Sequence, residues 1–295
     1  MLKVRNSLLL IALVALVVSA CSEPEKKAQT QNVEQKVEYK AEKVWSTDHV
    51  FNVPESVCYD SDRDVLYVAN IVGKPSEKDG EGFISRLSTK GEVLDLEWVA
   101  GLDAPKGMGV YGEKLYVTNV DELVEINITE GKENARYAIE GATFANDIAI
   151  DQHGNVFISG MQNGAVYKFD GQKVSEFLKQ GTFNRPNGLF ACKDKLYVGT
   201  SDRVYAVDYK TADTATYIKN TDPVDGLEKV ANDVFLKSDW QGRVHLVRPG
   251  MDKFELTNTI ADTVNAADIE YIKDQSLMLV PTFFDNRIVA YKISK

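Results

Sequence analysis

The segment RPNGLFACKDKLYVGT, residues 185–200, contains the unit from which most of the chain is built. A Pro-containing lead-in runs into the apolar stretch LFA, then a polar turn (CKDK), then LYV, rich in aromatic and β-branched side chains. Such residues suit a pleated, half-buried surface, so the unit predicts two short antiparallel strands joined by a tight turn. The same pattern recurs as PESVCYDSDRDVLYVAN (54–70), APKGMGVYGEKLYVTN (104–119), FANDIAIDQHGNVFISG (144–160), PVDGLEKVANDVFLKS (223–238) and NAADIEYIKDQSLMLVP (265–281). Most copies continue into a third strand resembling GRVHLV: GFISRLS, DELVEINI, GAVYKFD, DRVYAVD, GRVHLVR and NRIVAYKI.

Six copies of a small sheet, with no helical periodicity between them, set the fold class. A sheet of three or four short strands cannot cover both its faces, whereas sheets stacked around an axis cover one another and leave few open edges. The expectation is an all-β, six-bladed β-propeller over residues 44–295, with the strand-like VWSTDHVF (44–51) completing the last blade and closing the ring. Cys58 and Cys192 fall in blades 1 and 4, on opposite sides of that ring, so they are expected to be free thiols acting as small hydrophobes.

Before the repeat, residues 1–20 (MLKVRNSLLLIALVALVVSA) combine two cations, an apolar run and small residues at Ser19 and Ala20. These are the three regions of a secretory signal. Val18-Ser19-Ala20-Cys21 resembles a bacterial lipobox, which implies cleavage before Cys21 and its lipidation. Several acyl chains would anchor the chain durably to a membrane. Ser22, where an aspartate would imply inner-membrane retention, favours the outer membrane. The remainder of segment 21–43 is polar, rich in Glu, Lys and Gln, and is expected to be a flexible tether. The net charge of −10 excludes a nucleic-acid partner, which needs a basic face.

Aligned on the repeat, one lead-in position per blade is occupied by Glu55, Lys106, Asn146, Asn187, Asp225 and Asp268. A propeller brings equivalent positions to its axis, so these six are expected at one end of the central channel. Carboxylate and amide oxygens suit a hard divalent cation, Ca²⁺ first, with Mg²⁺ or Mn²⁺ as alternatives. Zinc prefers nitrogen and sulfur, and His49, His153 and His245 do not share the column.

On these residues the chain resembles the senescence-marker-protein/gluconolactonase (regucalcin-like) propellers across roughly 45–294, and more distantly the paraoxonases. The resemblance implies a divalent cation held by Glu55 of PESVCYD, Asn146 of NDIAID, Asn187 of RPNGL and Asp225 of VDGLEK. It implies Asp225 as both ligand and general base in a lactone or ester hydrolase. Lys106 and Asn146 would then orient the substrate, and Asp268 or Glu270 would be alternative bases, as in strictosidine-synthase-like relatives. Three departures stand out: Lys106 brings a cation into the column, Ile148 replaces a glycine, and the fifth blade lacks a second aspartate. The other reading is a non-catalytic propeller of the NHL-repeat type that binds a protein, peptide or glycan at the envelope. Trp240 is expected to pack between blades, with lining of the mouth as its alternative. Phe283 and Phe284 are expected in a turn, and Lys74–Gly82 as a solvated loop of blade 1.

Overall fold

The computed structural model describes residues 39–295; the signal segment, Cys21 and most of the expected tether lie outside the described residues. Within 39–295 there are 24 strands in six four-stranded antiparallel sheets, a six-bladed propeller. Blade 1 holds β2 (Pro54–Asp60), β3 (Val65–Asn70), β4 (Gly82–Ser88) and β5 (Val93–Leu102). Blade 2 holds β6 (Pro105–Tyr111), β7 (Lys114–Asn119), β8 (Glu122–Asn127) and β9 (Lys132–Ala138). Blade 3 holds β10 (Ala145–Ile150), β11 (Val156–Gly160), β12 (Ala165–Phe169) and β13 (Val174–Leu178). Blade 4 holds β14 (Leu189–Ala191), β15 (Lys195–Gly199), β16 (Arg203–Asp208) and β17 (Thr214–Lys219). Blade 5 holds β18 (Leu227–Ala231), β19 (Val234–Asp239), β20 (Arg243–Val247) and β21 (Phe254–Asn258).

Blade 6 is completed from both ends of this region. Its order is β1 (Lys40–Ser46), β24 (Ile288–Ser294), β23 (Leu277–Pro281) and β22 (Glu270–Ile272). The closing strand was expected within 44–51; it spans 40–46, so its first half lies inside the segment read as tether. The reason is that an outermost strand is wet on most of its surface. Lys40, Glu42 and Lys43 are exposed, while Tyr39 and Ala41 pack against the blade 5–blade 6 core.

The core is not one body: six clusters each lie between neighbouring sheets, and a seventh joins Ile71, Ala104, Val120, Ala267 and Phe283. Strand β3 shows how the period of two works: Leu66 and Val68 pack toward blade 6, while Tyr67 and Ala69 pack toward blade 2. In blade 3, Val156 and Ile158 face blade 2 and Phe157 faces blade 4. Both thiols are free, with Cys58 buried and Cys192 half-buried.

Near the axis, the blades meet backbone to backbone. A Cβ on Gly107 would lie 2.5 Å from the Asp147 Cα and 2.7 Å from the Asn146 carbonyl. Gly188 and Gly226 are pressed in the same way against the next blade, by Asp225 O and Ile269 N. Hydroxyls bridge the remaining gaps: Thr118 Oγ1 donates to Asn146 O at 2.5 Å, and Ser238 Oγ donates to Ala267 O at 2.6 Å. The ring closes at its centre through Asp268 N donating to Glu55 O at 3.0 Å.

Because the atoms facing Gly107 are backbone, they cannot swing aside. Gly107→Ala is expected to cost about 1–3 kcal/mol by overpacking. For a domain of this size that lowers Tm by roughly 2–12 °C, which thermal unfolding followed by circular dichroism would measure. An unchanged Tm would mean that the blades do not approach this closely.

Candidate functional site

The lead-in residues are aimed by irregularity in the inner strands. In blades 1, 2 and 3 the pairing register slips across Glu55, Lys106 and Asn146. A bulge of this kind turns a side chain out of the alternation of its strand. In blades 4, 5 and 6 the corresponding Asn187, Asp225 and Asp268 stand just before β14, β18 and β22. Their backbone N–H groups are held by Gly199 O, Ser238 O and Glu55 O, respectively.

Five of the six expected residues, Glu55, Lys106, Asn146, Asn187 and Asp225, line one cavity of about 570 Å³ at the mouth of the channel. Asp268 does not line it and sits among the carboxylates beneath. Asn187 Nδ2 donates to Asp225 Oδ1 at 2.5 Å, and Asn146 Nδ2 contacts the Met161 thioether at 3.5 Å. Glu55 is buried, and among the described residues its Oε2 has no hydrogen-bond partner. Lys106 is also buried; Nζ donates to Ala104 O at 2.9 Å and lies 4.6 Å from the centre of the Phe144 ring. It therefore sits beside Glu55 as a cation without forming a close ion pair with it.

The field at this site is dominated by buried like charges. Burial raises the Glu55 carboxyl well above the usual range, Asp225 raises it further, and Lys106 partly offsets both. Burial also pushes Asp225 up to about 7, against the lowering effect of the Asn187 amide. Lys106 is driven down to about 8 by burial, with Glu55 opposing the shift.

Below the mouth lies a second tier that the sequence reading largely missed. Asp147 accepts from Leu189 N at 2.5 Å and from its neighbour Ile148 N at 2.6 Å. Burial still raises it to about 7. Glu270 accepts from Tyr59 N at 2.8 Å and is likewise raised to about 7 by burial. Glu228 and Asp268 are raised well above the usual range, by burial first and by neighbouring carboxylates second. The available signal was positional: Glu228 and Glu270 stand two or three residues after the lead-in positions Asp225 and Asp268, and Asp147 stands where blades 2, 4 and 5 have glycine.

The cavity wall is apolar where its floor is polar. Phe144, Met161, Trp240, Phe283 and Phe284 all line it. Trp240, expected between blades, instead stands at the mouth with its ring 5.6 Å from Phe283 and 6.0 Å from Phe284, both edge to face. Phe283 and Phe284 occupy a 3₁₀ turn, and Phe284 is 62% exposed. Lys74 and Pro75 of the blade 1 loop also reach the rim.

The donor types present suit a hard divalent cation. Glu55 offers an unsatisfied buried oxygen, Asp225 a second carboxylate, and two amides stand nearby, with no histidine or thiol lining the cavity. Among the described residues no three His, Cys, Asp or Glu side chains form a ready metal cluster. A cation here would therefore depend on two carboxylates together with Asn146 and Asn187.

No family model matches the chain, and no curated protein matches it by sequence. Solved structures do share its fold. A catalytically inactive histidine-to-alanine variant of virginiamycin B lyase from Staphylococcus aureus, with quinupristin, is 14% identical, with a TM-score of 0.60 over 86% of this chain and 99% of that one. A streptogramin B lyase is 11% identical, with a TM-score of 0.61 over 87% and 98%. A chain of a nidogen/laminin complex is 17% identical, with a TM-score of 0.56 over 69% and 80%. These likenesses establish the six-bladed propeller.

The raised carboxyls have a consequence for stability. An acid whose folded-state pKa lies above its unfolded value binds its proton more tightly when folded. Its contribution is complete below about pH 4 and is lost as pH climbs through about 7. In chelator-treated protein, the stability of wild type relative to Asp225→Asn should fall between about pH 4 and pH 7. Urea unfolding of both at each pH reads this difference, and a flat or rising profile would mean that Asp225 is not held protonated.

Proposed function

We propose that the protein is a metal-dependent hydrolase of the lactone or ester class, with a divalent cation, Ca²⁺ foremost, at the mouth of the propeller. The observation that carries this reading is the pairing of an unsatisfied buried Glu55 oxygen with Asp225, Asn187 and Asn146 around one cavity. Uncompensated, that set concentrates negative charge on the cavity floor, where Lys106 is the cation of the column. When bound, the cation would supply Lewis-acid polarisation of the substrate carbonyl and stabilise its developing oxyanion.

The side chains divide the remaining work. Glu55, Asn146, Asn187 and Asp225 would hold the ion, with the Asn187 Nδ2 committed to Asp225 and its Oδ1 left for coordination. Asp225 would also serve as the general base that takes a proton from attacking water. Lys106 and Asn146, which line the same cavity, would orient the substrate. Asp268 and Glu270, in the tier below, would receive protons relayed from the mouth rather than meet substrate. The likeness to streptogramin lyases does not carry their chemistry here. One of them is inactivated by replacing a histidine, and no histidine lines this cavity.

A second reading, a propeller that binds an envelope ligand without turning it over, is favoured by Lys106. This buried cation within the column compensates part of the charge that a metal would otherwise carry. The two readings part on metal dependence. Residues 39–295 should bind one Ca²⁺ per chain by calorimetry, with affinity reduced roughly 100-fold by Glu55→Gln or Asp225→Asn. Hydrolysis of aryl esters and γ-lactones should be abolished by chelator and restored by Ca²⁺. A folded protein with no bound ion, and no response to added Ca²⁺, Mg²⁺ or Mn²⁺, overturns the hydrolase reading in favour of the binding one.

A further inference from the structure

The upper cavity carries two features that neither cation binding nor carbonyl chemistry requires. On the arc of blades 3 and 4, Arg185 lines the cavity from the lead-in to β14. It forms no ion pair among the described residues, and its polar contact there is the Met161 thioether at 4.0 Å. Lys74, the other rim cation, is already neutralised by Glu77 at 2.5 Å. On the arc of blades 5 and 6, Trp240, Phe283 and Phe284 form an edge-to-face cluster that leaves Trp240 46% and Phe284 62% exposed. In a ring of six, blade 6 stands across from blade 3, so the free guanidinium and the apolar cluster occupy opposite sides of one opening.

Backbone strain marks both features. Arg185 has φ of 53° and Phe283 has φ of 51°. Bulky residues rarely adopt the left-handed region, and such strain persists where the surroundings impose it, often at ligand sites. An exposed aromatic cluster beside a polar floor is the usual make-up of a small-molecule pocket, and about 570 Å³ is ample for a ligand of some 12–20 heavy atoms.

We propose that the ligand of this cavity is a small amphiphilic carboxylate, its anionic group bound by Arg185 and its apolar part packed on Trp240, Phe283 and Phe284. This names a substrate class for the cavity proposed above and rests on that cavity being the ligand site. A guanidinium pairs with a carboxylate through parallel N–H donors, which gives direction as well as strength. The aromatic faces contribute contact area that a sugar-like, wholly polar ligand would leave unused. Arg185 thus acts on selectivity, apart from the metal-binding and reacting groups on the floor.

The test is binding, not turnover. 4-Phenylbutyrate, 4-phenylbutan-1-ol and butyrate are titrated into residues 39–295 with and without Ca²⁺, followed by calorimetry and by the change in tryptophan emission that is lost in Trp240→Phe. The acid should bind at least about tenfold more tightly than the alcohol, and butyrate should be weakest. Arg185→Gln should erase the preference for acid over alcohol while leaving alcohol binding unchanged. Trp240→Ala with Phe284→Ala should weaken both phenyl ligands, with circular dichroism confirming the fold. Equal binding of acid and alcohol, a preference that survives Arg185→Gln, or no binding of any probe overturns the proposal. Because the cation titration needs no anion and this titration needs no hydrolysis, failure of one is distinguishable from failure of the other.

Discussion

Every sheet in this molecule has two apolar faces, and neither can be covered from within its own blade. That constraint makes the ring. Leu66 and Val68 need blade 6, Tyr67 and Ala69 need blade 2, and the demand passes around until it returns. Burial of apolar area is the main favourable term in folding, so an open arc would leave two faces wet. Closing the ring forces six inner backbones into contact, which is why Gly107, Gly188 and Gly226 cannot carry a Cβ without displacing the next blade. The same closure gathers six lead-in side chains that are distant in the chain.

That gathering has an electrostatic cost. Six carboxyls, Glu55 and Asp147 buried and Asp225, Glu228, Asp268 and Glu270 half-buried, all have raised pKa values along one channel, with Lys106 the buried cation among them. Desolvated like charges destabilise a fold unless protons, metals or counter-charges intervene. Packing alone gives no reason to place acids there, since apolar residues would fill the same positions more favourably. A channel so arranged stores an affinity for positive charge, and the mouth is where a mobile cation could enter.

Much of this was legible in the residues. The blade count followed from the LYV-like repeat, and the convergence of Glu55, Lys106, Asn146, Asn187 and Asp225 followed from their common place in it. What was not legible had physical causes. The start of β1 was hidden because an outer strand bathed in solvent has the composition of a tether. Asp147 and Glu228 were hidden because their roles depend on depth along the axis, which spacing does not encode. The aromatic rim was underread because Trp240 and Phe284 sit in turns, where nothing in the local pattern says which way a side chain points.

Blade 6 joins Lys40–Ser46 to Ile288–Ser294, the most distant pairing in the fold. The other five blades are local meanders that can form as soon as their own strands are available. The latch between β1 and β24 must wait until β24 has been delivered. Until then the apolar faces of β23 and β3 have no neighbour and β1 is an unpaired edge, the condition in which chains stick to one another. The vulnerable moment in the life of this molecule is therefore the interval before the latch forms. A chaperone that shields β1 until β24 arrives would shorten that exposure.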